Sequence, residues 1–566
     1  MSHNPKKNHP GHAPWGIMLC LLAFAILSLS GKMATANSQQ AEQTPIVPTI
    51  PGVDRHQKGK VFLEHADRLW TDHTIGIDYQ VLIGNVQFRK DDMFMYCDSA
   101  HFYDKSNSLD AFGNVRMEQG DTLFVYADTL NYDGVKELAI LYADAGKKVR
   151  LINRDVQLET DVFNYDLGID LGYYEVWGVL TDKQNRLESW QGEYSPTTKD
   201  ANFYLDVRLT SITSSDTLKM FTDTLSYNTA THIAELVCPT EIINRDGTIF
   251  SSNGLYNTDN NIANLYDRSL VVTHQGNTLT GDTLFYDRRN GYGEAFGNMI
   301  LTDSTRQTAL EGNYGFYNEF TDSAFVTGRA RALEYSRQDT LYLHGDTIRS
   351  FIAAGDTTHI MIANPRVRFY RNDIQGVCDS LTFTEKDSIL YMNRHPIVWS
   401  GSRQIFGNII MVHMNDSTVD WADLPDFGFM AEHIDEEFYN QLSGKEMHAT
   451  FENGEINHLD VKGNVQIIML PEESDSTFNK IFNIESSFLS ANFAKRTLKD
   501  MIMWPETSGN GTPLYLAKKS IYYLPQFRWY DKIRPKYPDD IFIVPQEMID
   551  LFNQPETSIR SRNGNP

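Results

Sequence analysis

From Val61 onward the chain alternates apolar and polar positions in short runs, broken by Gly, Asn and Asp. A period of two over such runs predicts strands. The sharpest run is Gly281-Asp282-Thr283-Leu284-Phe285-Tyr286-Asp287, in which alternation puts Leu284 and Tyr286 on one face. Close copies are Ala127-Asp128-Thr129-Leu130-Asn131-Tyr132-Asp133 and Thr222-Asp223-Thr224-Leu225-Ser226-Tyr227-Asn228. Looser copies run from Cys97 to Tyr103 and from Cys378 to Phe383. The closing aromatics Phe102, Tyr132, Tyr165, Tyr194, Tyr227, Tyr256, Tyr286 and Tyr317 follow one another at 29 to 33 residues. Phe383 comes 66 residues later, twice that interval, with Gly345-Asp346-Thr347-Ile348 as the copy between.

A second element falls in the other half of each repeat: Gly84-Asn85-Val86, Gly113-Asn114-Val115, Gly297-Asn298-Met299 and Gly463-Asn464-Val465. Gly-Asn supplies the positive-φ residues of a tight turn, and the residue after it is expected to open a strand. A repeat of about 30 residues made only of strands stacks on its neighbours by backbone hydrogen bonds and buries a continuous core. The expected fold class is all-β, a repetitive β-solenoid.

The expected organisation follows. Lys6 and Lys7, the apolar stretch Trp15 to Leu29 and Ala34-Thr35-Ala36 read as a secretory signal peptide over 1–36, cleaved after Ala36. Residues 37–58, with Pro45, Pro48 and Pro51, read as a linker. The repeat array covers 59–420. Residues 421–445, with the acidic run Glu432 to Tyr439, read as a connector holding a short helix. Strands return over 446–504, and 505–566 is a Pro-rich, extended tail.

Charge and composition narrow the function. A net charge of −24 leaves no basic face for a nucleic acid. Three cysteines beyond the leader, Cys97, Cys238 and Cys378, make no disulfide framework. Catalytic, metal-ligand and cofactor motifs are missing, so neither an enzyme nor a cofactor protein is expected. The recurring Asp (Asp98, Asp128, Asp223, Asp282, Asp379) could form a Ca²⁺ ladder, but each precedes Ser or Thr at a strand start, where it bonds nearby backbone N–H groups. The apolar pairs carry more: Leu130 with Tyr132, Leu225 with Tyr227, Leu284 with Tyr286, and Leu381 with Phe383. Stacked, they make an aromatic stripe. It is either a sealed core or a groove for acyl chains.

Signal peptide, G-N-V and A-D-x-L-x-Y-D repeats together resemble the OstA/LptA family of lipopolysaccharide-transport proteins over about residues 60–500, most clearly at Gly113-Asn114-Val115 and Ala127 to Asp133. The closing region, with Phe438-Tyr439-Asn440-Gln441 and Phe527-Arg528-Trp529-Tyr530, is similar to long OstA-like proteins of the Bacteroidetes type. The resemblance implies a β-jellyroll with a V-shaped cleft, and a periplasmic carrier or bridge that binds the lipid A acyl chains of lipopolysaccharide. It also implies partners among the transport proteins of the inner and outer membrane, and edge-to-edge self-association. The eight stripe residues would then line the lipid path. The rival expectation is a secreted β-solenoid that binds or acts on polysaccharide.

Overall fold

The alternating runs are strands throughout. The computed structural model describes residues 59–554, apart from 72–78, 213–216, 337–338, 354–357, 416–418, 474–476, 495–496 and single positions 246, 275, 306, 319, 322 and 453. The signal peptide and linker expected over 1–58 lie outside the described residues. Two compact units form: one runs to His274 and includes Asp282–Arg289, the other comprises Gln275–Gly281 and the chain from Asn290 on. Each is built from two antiparallel strand ladders, called A and B.

In the first unit, ladder A stacks the strands Val162–Asp166, Leu171–Tyr174, Gln191–Tyr194, Ile233–Leu236, Asn253–Asn257, Ile262–Tyr266 and Thr283–Asp287. Ladder B stacks Val149–Asn153, Val156–Thr160, Gly178–Thr181, Asn185–Ser189, Thr240–Ile243, Gly247–Ser251 and Leu270–Thr273. Long strands such as Asp200–Ile212 and Thr217–Asn228 pass through both. Each repeat thus gives a hairpin to B and then a hairpin to A.

The Gly-Asn pairs correct the sequence expectation. They do not make tight turns that precede strands. They sit inside strands already running, as β-bulges: Gly84-Asn85 within Gln80–Lys90, Gly113-Asn114 within Ser108–Gln119, Gly297-Asn298 within Tyr292–Asp303 and Gly463-Asn464 within Glu455–Met469. Both residues of each pair have positive φ, and the kink turns the strand from one ladder into the other. The recurring Asp belongs to this corner. Asp98 accepts from Asn114 Nδ2 at 2.8 Å, Asp282 from Arg268 at 3.2 Å and Asp379 from Arg394 at 2.7 Å, while Asp128 takes the backbone N–H of Asp144 at 2.8 Å. Among the described residues, no group of three or more His, Cys, Asp or Glu is placed to hold a metal.

In the second unit, ladder A holds Ser323–Thr327, Thr347–Ile352, His359–Asn364, Ser380–Thr384, Ile389–Asn393, Ile409–Met414, Val419–Leu424 and Glu446–Glu452. Ladder B holds Arg331–Glu334, Leu341–His344, Val367–Arg371, Ile374–Cys378, Ile397–Ser400, Arg403–Gly407, Gly428–Asp435 and Phe438–Gly444. Residues 421–445, expected as a connector with a short helix, are therefore ladder strands. Gly428–Asp435 and Phe438–Gly444 are a hairpin, and the acidic pair Glu436-Glu437 is its turn.

The Pro-rich segment is not an extended tail. Residues 514–552 fold into 3₁₀ turns, Leu514–Leu516, Lys519–Ile521, Asp531–Ile533 and Pro538–Phe542, and the helix Gln546–Phe552. This strap covers the outer face of ladder B. Ile533, Met548, Leu551 and Phe552 pack against Val377, Ile397, Trp399, Phe406 and Phe429. Buried side chains of B reach out to the strap backbone: Gln441 to Tyr522 O and Leu524 N, Gln404 to Arg528 O and Tyr530 N, Arg368 to Ile533 O and Asp540 O. Burial on both faces is why Ile374–Cys378 loses strand alternation. No helix among the described residues is long and apolar enough to cross a membrane.

Candidate functional site

The inner faces of the two ladders make the site. On ladder A of the first unit, cross-strand register sets Tyr132, Ala139, Tyr165, Gly172, Tyr194, Ala201, Tyr227, Ala234, Tyr256, Ala263 and Tyr286 in one row. Large and small residues alternate without a break. A full ring on every strand would not fit at the strand spacing, so a small neighbour makes room for each tyrosine. On ladder B, Val125, Leu151, Leu158, Leu180, Leu187, Leu209, Met220, Ile242, Ile249 and Val271 form the matching row. None of these B residues is more than 4% exposed.

The stripe residues read from the sequence lie on these inner faces. Leu130, Tyr132, Leu225, Tyr227, Leu284 and Tyr286 stand in the first unit, and Leu381 and Phe383 in the second, all at most 5% exposed. Cys97 and Cys378 are buried too, and burial pushes the Cys97 thiol up to about 12.

Polar groups close the first unit at the turns. Asn153, on a ladder B turn, donates to Tyr194 Oη at 3.0 Å and Pro196 O at 3.2 Å on ladder A. The next B turn holds Asp182 and Asn185. The Tyr227 hydroxyl donates to Asp182 at 2.5 Å and Asn185 Nδ2 donates to Tyr227 Oη at 2.9 Å. Gln184 reaches Thr258 O at 3.4 Å, and Lys90 lies 3.9 Å from Glu137. Burial, then the hydrogen bond to Asp182, pushes the Tyr227 phenol far above its ordinary value.

The second unit is built differently. Its ladder A row runs Tyr317, Ala324, Ser350, Met361, Phe383, Leu390, Val412 and Ala422, and ladder B opposes Leu310, Ala332, Leu343, Phe369, Gly376, Val398, Ile405 and Met430. Near Met299, Leu310 and Tyr317 the rows enclose a cavity of about 40 Å³. Farther along, Leu390 and Val412 on A and Val398, Ile405 and Met430 on B are only half-buried. Five apolar inner-face side chains therefore meet solvent between the ladders, although strap and corners bury their surroundings.

Residues 58–217 match the OstA-like protein family. This segment is OstA-like. The same corners and rows run on through the chain beyond it. Among solved structures, the chain is similar to LptH of Pseudomonas aeruginosa, the LptA-homologous periplasmic component of its lipopolysaccharide transport device. Identity is 15%, covering 19% of this chain and 76% of that one, with a TM-score of 0.17. That likeness is too slight to bear on the fold. No curated protein matches.

Three features of the OstA-like interior escape the strand-period reading: the small residues between the tyrosines, the polar closure of the first unit and the half-open stretch of the second. The first leaves a plain signal. A small residue follows seven positions after Tyr132, Tyr165, Tyr194, Tyr227, Tyr256, Tyr286 and Tyr317. The other two depend on which turns face each other across the interior, and no local pattern encodes that.

Proposed function

We propose that this chain is a non-enzymatic periplasmic carrier or bridge for lipopolysaccharide, holding lipid A acyl chains between its two ladders. The observation that carries the reading is the run of half-buried apolar side chains, Leu390, Val398, Ile405, Val412 and Met430, on facing inner surfaces of an OstA-like architecture. Exposed inner surface of this kind gains about 25 cal/mol for each Å² that an acyl chain covers. Apolar burial is indifferent to charge, so a protein of net charge −24 can still take an anionic lipid. Leu381 and Phe383 are the stripe residues that border this stretch. Leu130, Tyr132, Leu225, Tyr227, Leu284 and Tyr286 line the path only once the first unit opens.

On this reading the leader over 1–36 is removed on export. Transport proteins of the inner and outer membrane are the partners. The largely exposed strand Thr497–Trp504 is an edge on which copies associate.

The test is photo-crosslinking. The full chain, carrying photo-leucine and photo-methionine, is irradiated with dispersed lipid A. Adducts at Leu390 and Met430 are expected. Their absence, with adducts confined to the outer surface, overturns the carrier reading.

A further inference from the structure

The polar contacts named above each join a ladder B turn to ladder A. Asn153 belongs to the turn between Val149–Asn153 and Val156–Thr160, and its partners Tyr194 and Pro196 belong to the turn between Gln191–Tyr194 and Asp200–Ile212. Asp182 and Asn185 belong to the next B turn. Tyr227 ends the A-side half of Thr217–Asn228, and His232 Nδ1 lies 3.0 Å from its hydroxyl. The corners close the opposite side of the interior. The turns therefore stand at its mouth.

The clasp is fully buried where it matters. Asn153, Asn185 and Tyr227 are 3%, 1% and 1% exposed, and the Asp182 side chain 1%. The Asp182 carboxylate also takes the backbone N–H groups of Gln184 at 3.1 Å and Asn185 at 2.8 Å. Asn185 Nδ2 donates to the same carboxylate at 3.1 Å, so the turn is held by its own bonds, and release of Tyr227 removes a donor to Asp182 that comes from ladder A. Behind the clasp Leu180, Leu187 and Leu209 are 0% exposed.

We propose that the first unit is a gated compartment: the Asn153–Tyr194 and Asp182–Asn185–Tyr227 clasps hold its mouth shut, and acyl chains enter only when they release. The proposal rests on the carrier reading for its ligand but not for its gate. The tyrosine row serves both ends of the device. Its rings wall the interior, and its hydroxyls are half of the latch. The second unit carries Ala324, Ser350, Met361, Phe383 and Leu390 along the corresponding row, and its half-buried inner face marks it as the stretch that takes lipid without unlatching.

The experiment compares the full chain with its Asn153→Ala/Asn185→Ala/Tyr227→Phe variant, in two readouts. The first is maleimide labelling of Leu209→Cys, followed by peptide mass to separate it from Cys97, Cys238 and Cys378. Labelling at least tenfold faster in the variant is expected, with the circular dichroism of the strands kept. The second is photo-leucine adduct formation with dispersed lipid A. Adducts at Leu180, Leu187 and Leu209 should rise at least fivefold in the variant, with Leu390 unchanged. Unchanged labelling in a folded variant overturns the gate, as do native-chain adducts at Leu209 equal to those at Leu390. If no leucine is crosslinked in either chain, the carrier reading fails and labelling alone decides the gate. Should the triple variant lose its strand signal, Tyr227→Phe alone is labelled. A rise of at least threefold then supports the gate and no rise overturns it.

Discussion

The Tyr227 hydroxyl donates to the Asp182 carboxylate at 2.5 Å, tying the inner row of ladder A to a turn of ladder B. Removing this hydroxyl takes one of several donors from a carboxylate that cannot reach water. A lost bond to a charged partner costs about 1.5–3 kcal/mol, against about 1 for a neutral pair. Tyr227→Phe should therefore destabilise the chain more than Tyr256→Phe, whose hydroxyl donates to neutral Asn261 at 3.2 Å. Urea denaturation of the two variants gives the comparison. Equal losses would mean that Asp182 does not depend on Tyr227.

The alternation of large and small residues makes a second prediction. Ala201 is 0% exposed and pairs with Tyr194 on one side and Tyr227 on the other. Two added methyl groups have no room between two rings, and overpacking of this kind costs about 1–3 kcal/mol. Ala201→Val should lose that much in denaturant titration. Valine at exposed Lys219, on a neighbouring strand, should stay within about 0.5 kcal/mol. A neutral Ala201→Val would show that the rings have slack.

How legible all this was differs element by element. The strand period and the aromatic interval expose the repeat, because a core that runs along the whole stack must place a bulky residue at one position in each unit. Gly113-Asn114 reads as the positive-φ pair of a tight turn, since turns and mid-strand bulges ask the same backbone freedom of the same residues. Only the register, which shifts between Phe112 and Val115 and then continues, distinguishes the two. The acidic run Glu432 to Tyr439 reads as a short helix, but it is the place where Gly428–Asp435 turns into Phe438–Gly444. Phe429 and Ala431, just before it, are buried under the strap, on the face that an uncovered strand would leave polar. The strap itself was unreadable as structure. Its contacts pair Arg368 with Ile533 and Gln404 with Arg528, well over a hundred residues apart.

The corners can be tested by asking what their glycine provides. Gly113 has φ +75°, and a Cβ there would lie 2.5 Å from Asp98 Oδ2. Gly120 also has positive φ, +60°, but a Cβ there meets nothing within 4 Å. Alanine at Gly120 should cost the conformational term alone, about 1 kcal/mol, whereas Gly113→Ala adds the collision and should cost at least about 2. Introducing Asp98→Ala should recover part of the Gly113→Ala loss, because the colliding carboxylate is gone. Failure of that rescue in a double-mutant cycle would separate the glycine from the aspartate.

The strap should loosen in mild acid, and His344 is the reason. Its ring is 5% exposed, lies 4.9 Å from the Phe542 ring of the strap, and its Nδ1 donates to Ala330 O at 2.6 Å. Burial is the largest influence and lowers the pKa from its ordinary 6.5, with Arg368 and Arg329 acting the same way against the smaller opposing pull of Ala330 O and Asp346. Docked, His344 is held neutral; with the strap lifted, it regains its ordinary affinity for a proton. The undocked state therefore binds more protons below about pH 6.5, and docking weakens as pH falls through that value, by at most about 1.4 kcal/mol per pH unit. Above it the contribution is fully present and flat. Hydrogen exchange of residues 531–552 should quicken between about pH 7.5 and 5 after correction for the intrinsic rate. Asp539 and Asp540 face the same surface, where Asp539 accepts from Arg331 at 2.9 Å and Asp540 lies 3.8 Å from Arg368. His395 contacts Gln554 O, and His433 packs on Trp529 of the strap. His344→Gln should make the exchange insensitive to pH in this window. If the dependence survives that change and disappears in His395→Gln, the acid response belongs to the helix end of the strap and not to Phe542.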